Sequence, residues 1–375
     1  MKQIMFVAGE ASGDNHGADV IKHLMQQGDV QCFGIGGDKM RAAGMEALFD
    51  INDIAVVGFI EVIKHIKPIR AAWHVAVQAL EKRQPDVLVL IDYPGFNLRL
   101  AKKAKALGIT VLYCISPQIW AWHQSRVYKI KQCVDHMAVV FPFEVPFYEK
   151  AGVPVTYVGS PLTEQVHPIA QEAARIALSL DAQTQYIGLA PGSRMSELTR
   201  LLPAMLDAAD LLFKEDPTRQ FLLPIASTLK PSDFSPYLAQ HPHLPIQLIE
   251  HNTHNTLAAC DAVMCTSGTA TLETAILGVL MVILYKTTPL TYQLAKRLVK
   301  VNHIGLCNIV AGKRAVPELI QHEATAENIK HALLPLLTDP QRQQAIKTDL
   351  AIVREKLGQP GAAKQVVMLI QKLCA

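Results

Sequence analysis

The sequence predicts an α/β protein built from two doubly wound parallel-sheet domains that face each other across a cleft. Three observations carry that expectation. Short apolar runs alternate with helical segments along the chain, and several are apolar throughout, as strands covered on both faces are. The series stops at Gly159-Ser160-Pro161 and then starts again. With 375 residues, 50% of them hydrophobic, the chain is long for one core and has ample material for two.

The first series of strands is expected at 4–8, 31–35, 87–91, 110–114, 137–140 and 155–158, the second at 186–190, 221–225, 246–250, 262–265 and 281–284. The boundary falls within 160–175, giving an amino-terminal domain over 1–165 and a carboxyl-terminal one over 166–350. Pro203, Pro231, Pro236 and the H-P-H-L-P run at 241–245 are expected in loops. From Thr325 the sequence is helical in character, and its last piece, 351–375, is expected to pack back on the first domain or on a partner chain.

Lys plus Arg number 36 against 33 Asp plus Glu, a surplus too small to suggest nucleic acid as the main partner. The seven cysteines are scattered and never form C-x-x-C, which argues against a disulfide framework or a zinc ribbon and for reduced thiols. The apolar run before Glu10 is far too short for a signal-peptide core, and no stretch reaches membrane-spanning length without interruption. A soluble, cytoplasmic protein is expected.

In an open parallel sheet, ligands bind beyond the carboxyl ends of the strands. After Ala8 comes Gly9-Glu10-Ala11-Ser12-Gly13-Asp14, a turn whose spacing fits neither G-x-G-x-x-G nor a P-loop. After Ile91 comes Asp92, followed by a Pro-Gly turn expected to keep the helix from starting and ending at Asn97. A carboxylate there is a candidate general base, or else a turn former. After Ala190 comes P-G-S-R, where Arg194 and Glu197 open a helix: Arg194 could grip a diphosphate, or simply form a surface ion pair. The stretch 261–285 reads strand, loop, helix, strand. Its loop of Thr266, Ser267, Gly268, Thr269 and Thr271 leaves backbone N–H groups uncovered at a helix start, which suits phosphate. Glu273, placed in the first turn, could accept two hydrogen bonds from a ribose diol, or merely complement the helix dipole.

Two phosphate-suited loops in one half and a candidate base in the other suggest a nucleotide-sugar transferase. The sequence has no D-x-D pair, so no metal is expected. Leaving-group charge would fall to Arg194, the helix dipole and Lys286. His251, His254, Cys260 and Cys265 lie close in sequence but match no usual zinc spacing. In 56–73, Val62, Ile66, Ile69 and Trp73 recur at helical spacing among Lys64, Lys67 and Arg70, with Pro68 expected to kink or divide the helix. Such a pattern suits a buried amphipathic helix or a surface touching anionic lipid.

Six motifs then carry a resemblance: A-G-E-A-S-G-D at 8–14, I-D-Y-P-G-F-N at 91–97, S-P-Q-I-W-A-W at 116–122, F-P-F-E at 141–144, P-G-S-R at 191–194 and T-S-G-T-A-T-L-E at 266–273. In this order they span nearly the whole chain, which resembles the lipid-A-disaccharide synthase family. The resemblance implies a GT-B fold, two Rossmann-like domains, and an inverting transfer that needs no metal or other cofactor. It joins UDP-2,3-diacylglucosamine to 2,3-diacylglucosamine 1-phosphate through a β-1,6 link and releases UDP.

Carried over by motif, Asp92 is the base or acceptor-orienting carboxylate, with Glu10 and Ser12 beside it. Arg194 meets the diphosphate; Ser267, Gly268, Thr269 and Glu273 hold phosphate and ribose; Asn308 is a further active-site position. Some members have a second acid three places after Asp92, where this chain has Gly95, and many have proline where it has Cys307, which puts that turn's geometry in doubt. Val56, Val57, Phe59, Ile60, Ile63, Ile66 and Trp73 become the dock for acyl chains and the anionic inner face of the inner membrane. A homodimer is a further possible partner state. The rivals are another GT-B enzyme, either a peptidoglycan-precursor N-acetylglucosaminyltransferase or a UDP-sugar 2-epimerase, and a non-catalytic lipid- or nucleotide-binding protein. The W-A-W motif favours the first family, and the set of Asp92, Arg194 and Glu273 argues for catalysis.

Overall fold

A computed structural model describes residues 1–53, 66–298 and 301–374, which form two compact units. One comprises Met1–Pro161 with Gln359–Ala375, the other Leu162–Gly358. In the first, β1 (Lys2–Ala8), β2 (Val30–Gly36), β3 (Glu46–Asp50), β4 (Val87–Ile91), β5 (Thr110–Cys114), β6 (His136–Val139) and β7 (Val155–Tyr157) form one parallel sheet in the order β3-β2-β1-β4-β5-β6-β7.

Period-two alternation divides the apolar residues of these strands between two cores. Met5 and Val7 of β1, with Leu88 and Leu90 of β4, face the helices Ile66–Arg83 and Pro94–Ala106. Ile4, Phe6 and Ala8, with Val87, Val89 and Ile91, face the helix Ala11–Gln26 and the last helix, Ala362–Cys374. That last helix buries Ala363, Val366, Val367 and Ile370 in the first unit.

The second unit repeats the design with β8 (Tyr186–Ala190), β9 (Gln220–Ile225), β10 (Ile246–Glu250), β11 (Ala262–Thr266), β12 (Leu280–Tyr285) and β13 (Glu318–Ile320). Its parallel order is β10-β9-β8-β11-β12-β13. The helix Met195–Glu215 packs with Ala326–Thr338. The helices Thr269–Ile276 and Leu306–Ala311 pack with each other and with Pro340–Lys356.

Several expectations need correction. Strands β3 and β13 have no counterpart among the strands expected from the sequence, because E-A-L-F-D and E-L-I at sheet edges carry no continuous apolar run. Pro203 lies inside the helix Met195–Glu215, where burial of Leu198, Leu201, Leu202 and Met205 outweighs the roughly 3 kcal/mol that an interior proline costs. Pro236 lies inside the helix Pro231–Leu238, which Pro231 itself opens. Pro94 likewise starts the helix Pro94–Ala106 instead of delaying it, since the first helical position needs no N–H donor. Pro68 does not divide the helix described from Ile66 to Arg83. Among the described residues no helix is long and apolar enough to cross a membrane.

Ile370→Ala should destabilise the chain in urea by about 2–4 kcal/mol, the usual loss for a fully buried aliphatic side chain. Amide exchange should rise first in β1, β4 and β5. A uniform rise across both units would show that the last helix does not belong to the first core.

Candidate active site

Strand order reverses between β1 and β4, and helices leave these two strands to opposite faces of the sheet. Their carboxyl ends lie side by side, with Ala8 paired to Ile91. Glu10, Ser12 and Asp92 therefore come together at one switch point, the place where an open parallel sheet leaves a crevice.

Asp92 and Tyr93 both hold left-handed backbone, φ 47° and 49°, at about 1–2 kcal/mol per residue. Hydrogen bonds offset that strain: Asp92 N–H donates to the Cys114 carbonyl at 3.0 Å. The Asp92 carbonyl accepts from the Tyr113 hydroxyl at 2.6 Å and from Asn97 Nδ2 at 2.7 Å. The turn lays the Tyr93 ring against Gly9, where a Cβ would lie 2.2 Å from the ring. Only glycine fits there. Burial, and then the negative Glu10, push the Asp92 carboxyl up to about 6, while the Tyr93 backbone N–H pulls the other way. Such a group is poised for proton transfer near neutral pH.

Two other motifs of this unit meet at Glu144, which is 1% exposed. Its Oε1 accepts from Trp120 Nε1 at 3.1 Å and its Oε2 from Phe141 N–H at 3.0 Å. Burial pushes its carboxyl up to about 7 against those bonds. Glu144 thus ties together the loops after β5 and β6 from inside. Asp14 does similar work, accepting the N–H groups of Gly37, Lys39 and Met40 at the start of the helix Asp38–Ala42.

The second unit reverses order between β8 and β11, with Ala190 paired to Cys265. After β8, Arg194 is exposed and its guanidinium lies 3.7 Å from Glu197, whose carboxylate also accepts the Ser193 and Arg194 N–H groups. After β11, Gly268 takes φ 148° with open space where a side chain would stand, and no side chain caps the helix Thr269–Ile276 that follows. Thr271 N–H donates to the Gly268 carbonyl at 3.1 Å, while the two N–H groups before it have no intrahelical acceptor. Ser267 donates through its hydroxyl to the Ile304 carbonyl at 3.1 Å.

Glu273 is the fifth residue of that helix, not a member of its first turn, so the dipole has little hold on it. Burial raises its carboxyl, countered by His254, whose Nε2 lies 3.9 Å away. Lys286 directly follows β12, and burial lowers its ammonium against the pull of Asp207.

Asn308 is fully buried. Its Nδ2 donates to Glu318 Oε1 at 2.8 Å and to the Val316 carbonyl at 2.9 Å, and its Oδ1 accepts from Val316 N–H at 3.0 Å. Every polar atom of that side chain is turned inward, so it positions the loop beside Ser267. Cys307 is the second residue of the helix Leu306–Ala311, a place where an N–H is dispensable, and here it donates to Thr271 Oγ1 at 3.4 Å. Proline at this position would give up that bond.

Of the lipid-facing candidates, Val56, Val57, Phe59, Ile60 and Ile63 lie outside the described residues. Ile66 opens the helix Ile66–Arg83, and Trp73 meets Phe96 edge to face at 5.6 Å. Cys260 and Cys265 are buried thiols. Among the described residues no three His, Cys, Asp or Glu side chains form a group that could hold a metal.

A family profile described as lipid-A-disaccharide synthetase matches residues 4–372. The lipid-A-disaccharide synthase of Trichlorobacter lovleyi is 52% identical over 98% of this chain and 97% of its own length. That of Nitrosococcus oceani is 48% identical over 98% and 95%. The chain belongs to the lipid-A-disaccharide synthase family.

Solved structures share the fold of this synthase family at much lower identity. MurG of Acinetobacter baumannii superposes with a TM-score of 0.62 at 18% identity, covering 99% of this chain and 100% of its own. The UDP-GlcNAc 2-epimerase of Neisseria meningitidis gives 0.67 at 14%, again over 99% and 100%. The calicheamicin glycosyltransferase CalG4 gives 0.62 at 14%, over 100% and 98%. The fold is GT-B. The rival enzymes thus resemble the chain in fold alone, whereas the synthases resemble it in sequence along its whole length.

Tyr113, Glu144 and Glu318 support this synthase-family site but escape sequence reasoning. Tyr113 sits in an ordinary apolar run, and the partners of Glu144 and Glu318 lie on other elements. Only the F-P-F-E motif offered a signal for one of them.

By carboxyl NMR, Asp92 should titrate near pH 6, and Glu10→Gln should lower that midpoint; an unmoved midpoint would remove Glu10 from its surroundings. The fold disfavours the charged form, so Asp92→Asn should stabilise the chain at pH 8 by roughly 1–3 kcal/mol in urea. That gain should vanish as pH falls from 6 towards 4, where the folded wild-type carboxyl is already protonated.

Proposed function

We propose that this chain joins UDP-2,3-diacylglucosamine to 2,3-diacylglucosamine 1-phosphate, forming the β-1,6-linked lipid A disaccharide 1-phosphate and UDP. Family membership supports the reaction class. The single observation that carries the chemistry is Asp92, a carboxyl raised to about 6 at the β1/β4 switch point.

As a base, Asp92 takes the proton of the acceptor 6-hydroxyl while that oxygen attacks the anomeric carbon from the face opposite UDP. The anomeric carbon–oxygen bond breaks as the new one forms, its electron pair leaves on the diphosphate, and the configuration inverts. Glu10 tunes the base, and Ser12, on the same turn, orients the acceptor. At the donor end, the backbone N–H groups of Gly268 and Thr269 at the helix start and the guanidinium of Arg194 meet the diphosphate charge, with Lys286 beside them and Ser267 anchoring the loop through its N–H to Leu284 and its hydroxyl to Ile304. Glu273, half-buried and beyond the first turn, accepts the ribose hydroxyls. Asn308 holds the loop that Ser267 touches. The sequence lacks a D-x-D pair, so these groups carry the leaving-group charge without a metal.

Both substrates bear acyl chains, which places the chain at the cytoplasmic face of the inner membrane as a peripheral protein. Val56, Val57, Phe59, Ile60, Ile63, Ile66 and Trp73 supply the apolar contact, with Lys64 and Lys67 for anionic headgroups.

Purified protein given both substrates should yield the disaccharide by mass spectrometry, with EDTA making no difference. Product without chelator and none with it would overturn the metal-free mechanism. Asp92→Asn should cut turnover by about 10²–10⁴ while UDP binding persists, and wild-type kcat/KM should rise with pH up to about 6. Near-normal turnover in that variant would sink the base assignment. Phe59→Ser with Ile63→Ser should weaken binding to anionic liposomes without lowering Tm; unchanged liposome binding would remove that segment from the membrane contact.

A further inference from the structure

A groove of about 850 Å³ in the first unit lies between the helices Ile66–Arg83 and Pro94–Ala106, and it has two chemically distinct parts. Its floor is apolar: Ile69, Trp73, Tyr93 and Phe96 line it, with Phe96 packed 5.6 Å from Trp73 and 5.8 Å from Tyr93 between ring centres. Its rim is cationic. Arg99 and Lys102 stand on the groove side of Pro94–Ala106, one turn apart, and Arg70 stands on the opposite wall; all three are exposed. Lys103 also lines the groove but is paired with Glu81 at 2.7 Å. Among the described residues no carboxylate pairs with Arg70, Arg99 or Lys102. The helix face is kept open at its start by Gly95, where an added Cβ would meet nothing within 4 Å.

Like charges a turn apart on one helix repel, so Arg99 and Lys102 weaken the helix unless an anion bridges them. An apolar floor by itself would suit a hydrocarbon, and three cations without a carboxylate partner among the described residues would suit an anion. Both in one groove fit an amphiphile with an acyl chain and a phosphate. Tyr93, one of the residues that line the groove, is the residue after Asp92.

We propose that this groove binds the acceptor, with an acyl chain along Ile69, Trp73 and Phe96 and the 1-phosphate monoester held by Arg99 and Lys102, assisted by Arg70. The assignment rests on the proposed synthase activity, and it commits to the acceptor because Tyr93, which lines the groove, directly follows the base. The donor's diphosphate has its own loops in the other unit. The 1-phosphate then acts as a specificity handle that selects a phosphorylated acyl sugar.

The test is the double variant Arg99→Gln/Lys102→Gln in a detergent assay with the donor saturating. Both side chains are exposed, so Tm should hold. The KM for the phosphorylated acceptor should rise about tenfold or more for each lost charge, with the donor KM unchanged. On an acceptor lacking the 1-phosphate, variant and wild type should behave alike, and Arg99→Lys should recover part of the loss. Equal losses on both acceptors, or a raised donor KM, would overturn the assignment. So would weakened sedimentation with anionic vesicles at an unchanged acceptor KM, which would make the rim a bilayer contact. If the wild type made no disaccharide, the synthase activity itself would fall. Equilibrium binding of the phosphorylated monosaccharide, lost in the double variant, would still uphold the groove, and equal binding by both proteins would refute it.

Discussion

Everything at the two switch points follows from one constraint: a right-handed crossover must return each parallel strand to its sheet, and it can do so on either face. Where β1 and β4 are neighbours, the crossovers diverge and leave the ends of both strands uncovered. The same holds between β8 and β11. The apolar strands cannot supply polar chemistry themselves, since both faces are given over to core. Polar side chains and bare N–H groups therefore collect at the strand ends, on turns whose backbone the cores hold rigid. The sites are consequences of the topology before they are consequences of any single residue.

Rigidity there is what lets the fold carry an unfavourable group. A carboxyl displaced upward by burial lowers stability at neutral pH, and two consecutive left-handed residues lower it further. The turn persists because Tyr113 and Asn97 hold the Asp92 carbonyl and Gly9 yields room to Tyr93. Glu144 and Glu318 are also buried acids, yet their oxygens are engaged by groups of the protein. The contrast separates the two kinds of buried charge. An acid whose oxygens are taken up internally builds a loop, while one whose backbone is clamped and whose charge is left unmatched is available to a substrate.

The central strands were legible because a strand covered on both faces must be apolar throughout, and β1, β4, β8, β11 and β12 meet that condition. Edge strands need not, so β3 and β13 left no run to see. The prolines misled in the other direction. The local rule that proline ends helices is sound, but Pro94 and Pro231 stand where no donor is missed, and at Pro203 tertiary burial outweighs the local cost. At the sites, residue types and positions could be read from strand ends. Partnerships could not, because the bonds from Tyr113 to Asp92 and from Ser267 to Ile304 span 21 and 37 residues. Asn308 shows the limit most clearly. Its place in a motif suggested a role at the site, but its direction, wholly inward, depends on Val316 and Glu318.

The two units solve different problems of recognition with one architecture. Beyond β8 and β11 stand small residues, N–H groups at a helix start and one exposed arginine, a set whose partial charges suit a compact, multiply charged group. Beside β4 the helix Pro94–Ala106 combines an aromatic floor with cations that have no carboxylate partner among the described residues, which suits a molecule that is apolar along most of its length and anionic at one point. A nucleotide sugar with acyl chains and a phosphorylated acyl sugar share their lipid part, so hydrophobic contact cannot tell them apart. What distinguishes them is the head group, a uridine diphosphate in one and a phosphate monoester in the other. Selection between the substrates therefore falls to recognition of the head groups, and burial of acyl chains adds affinity that is common to both.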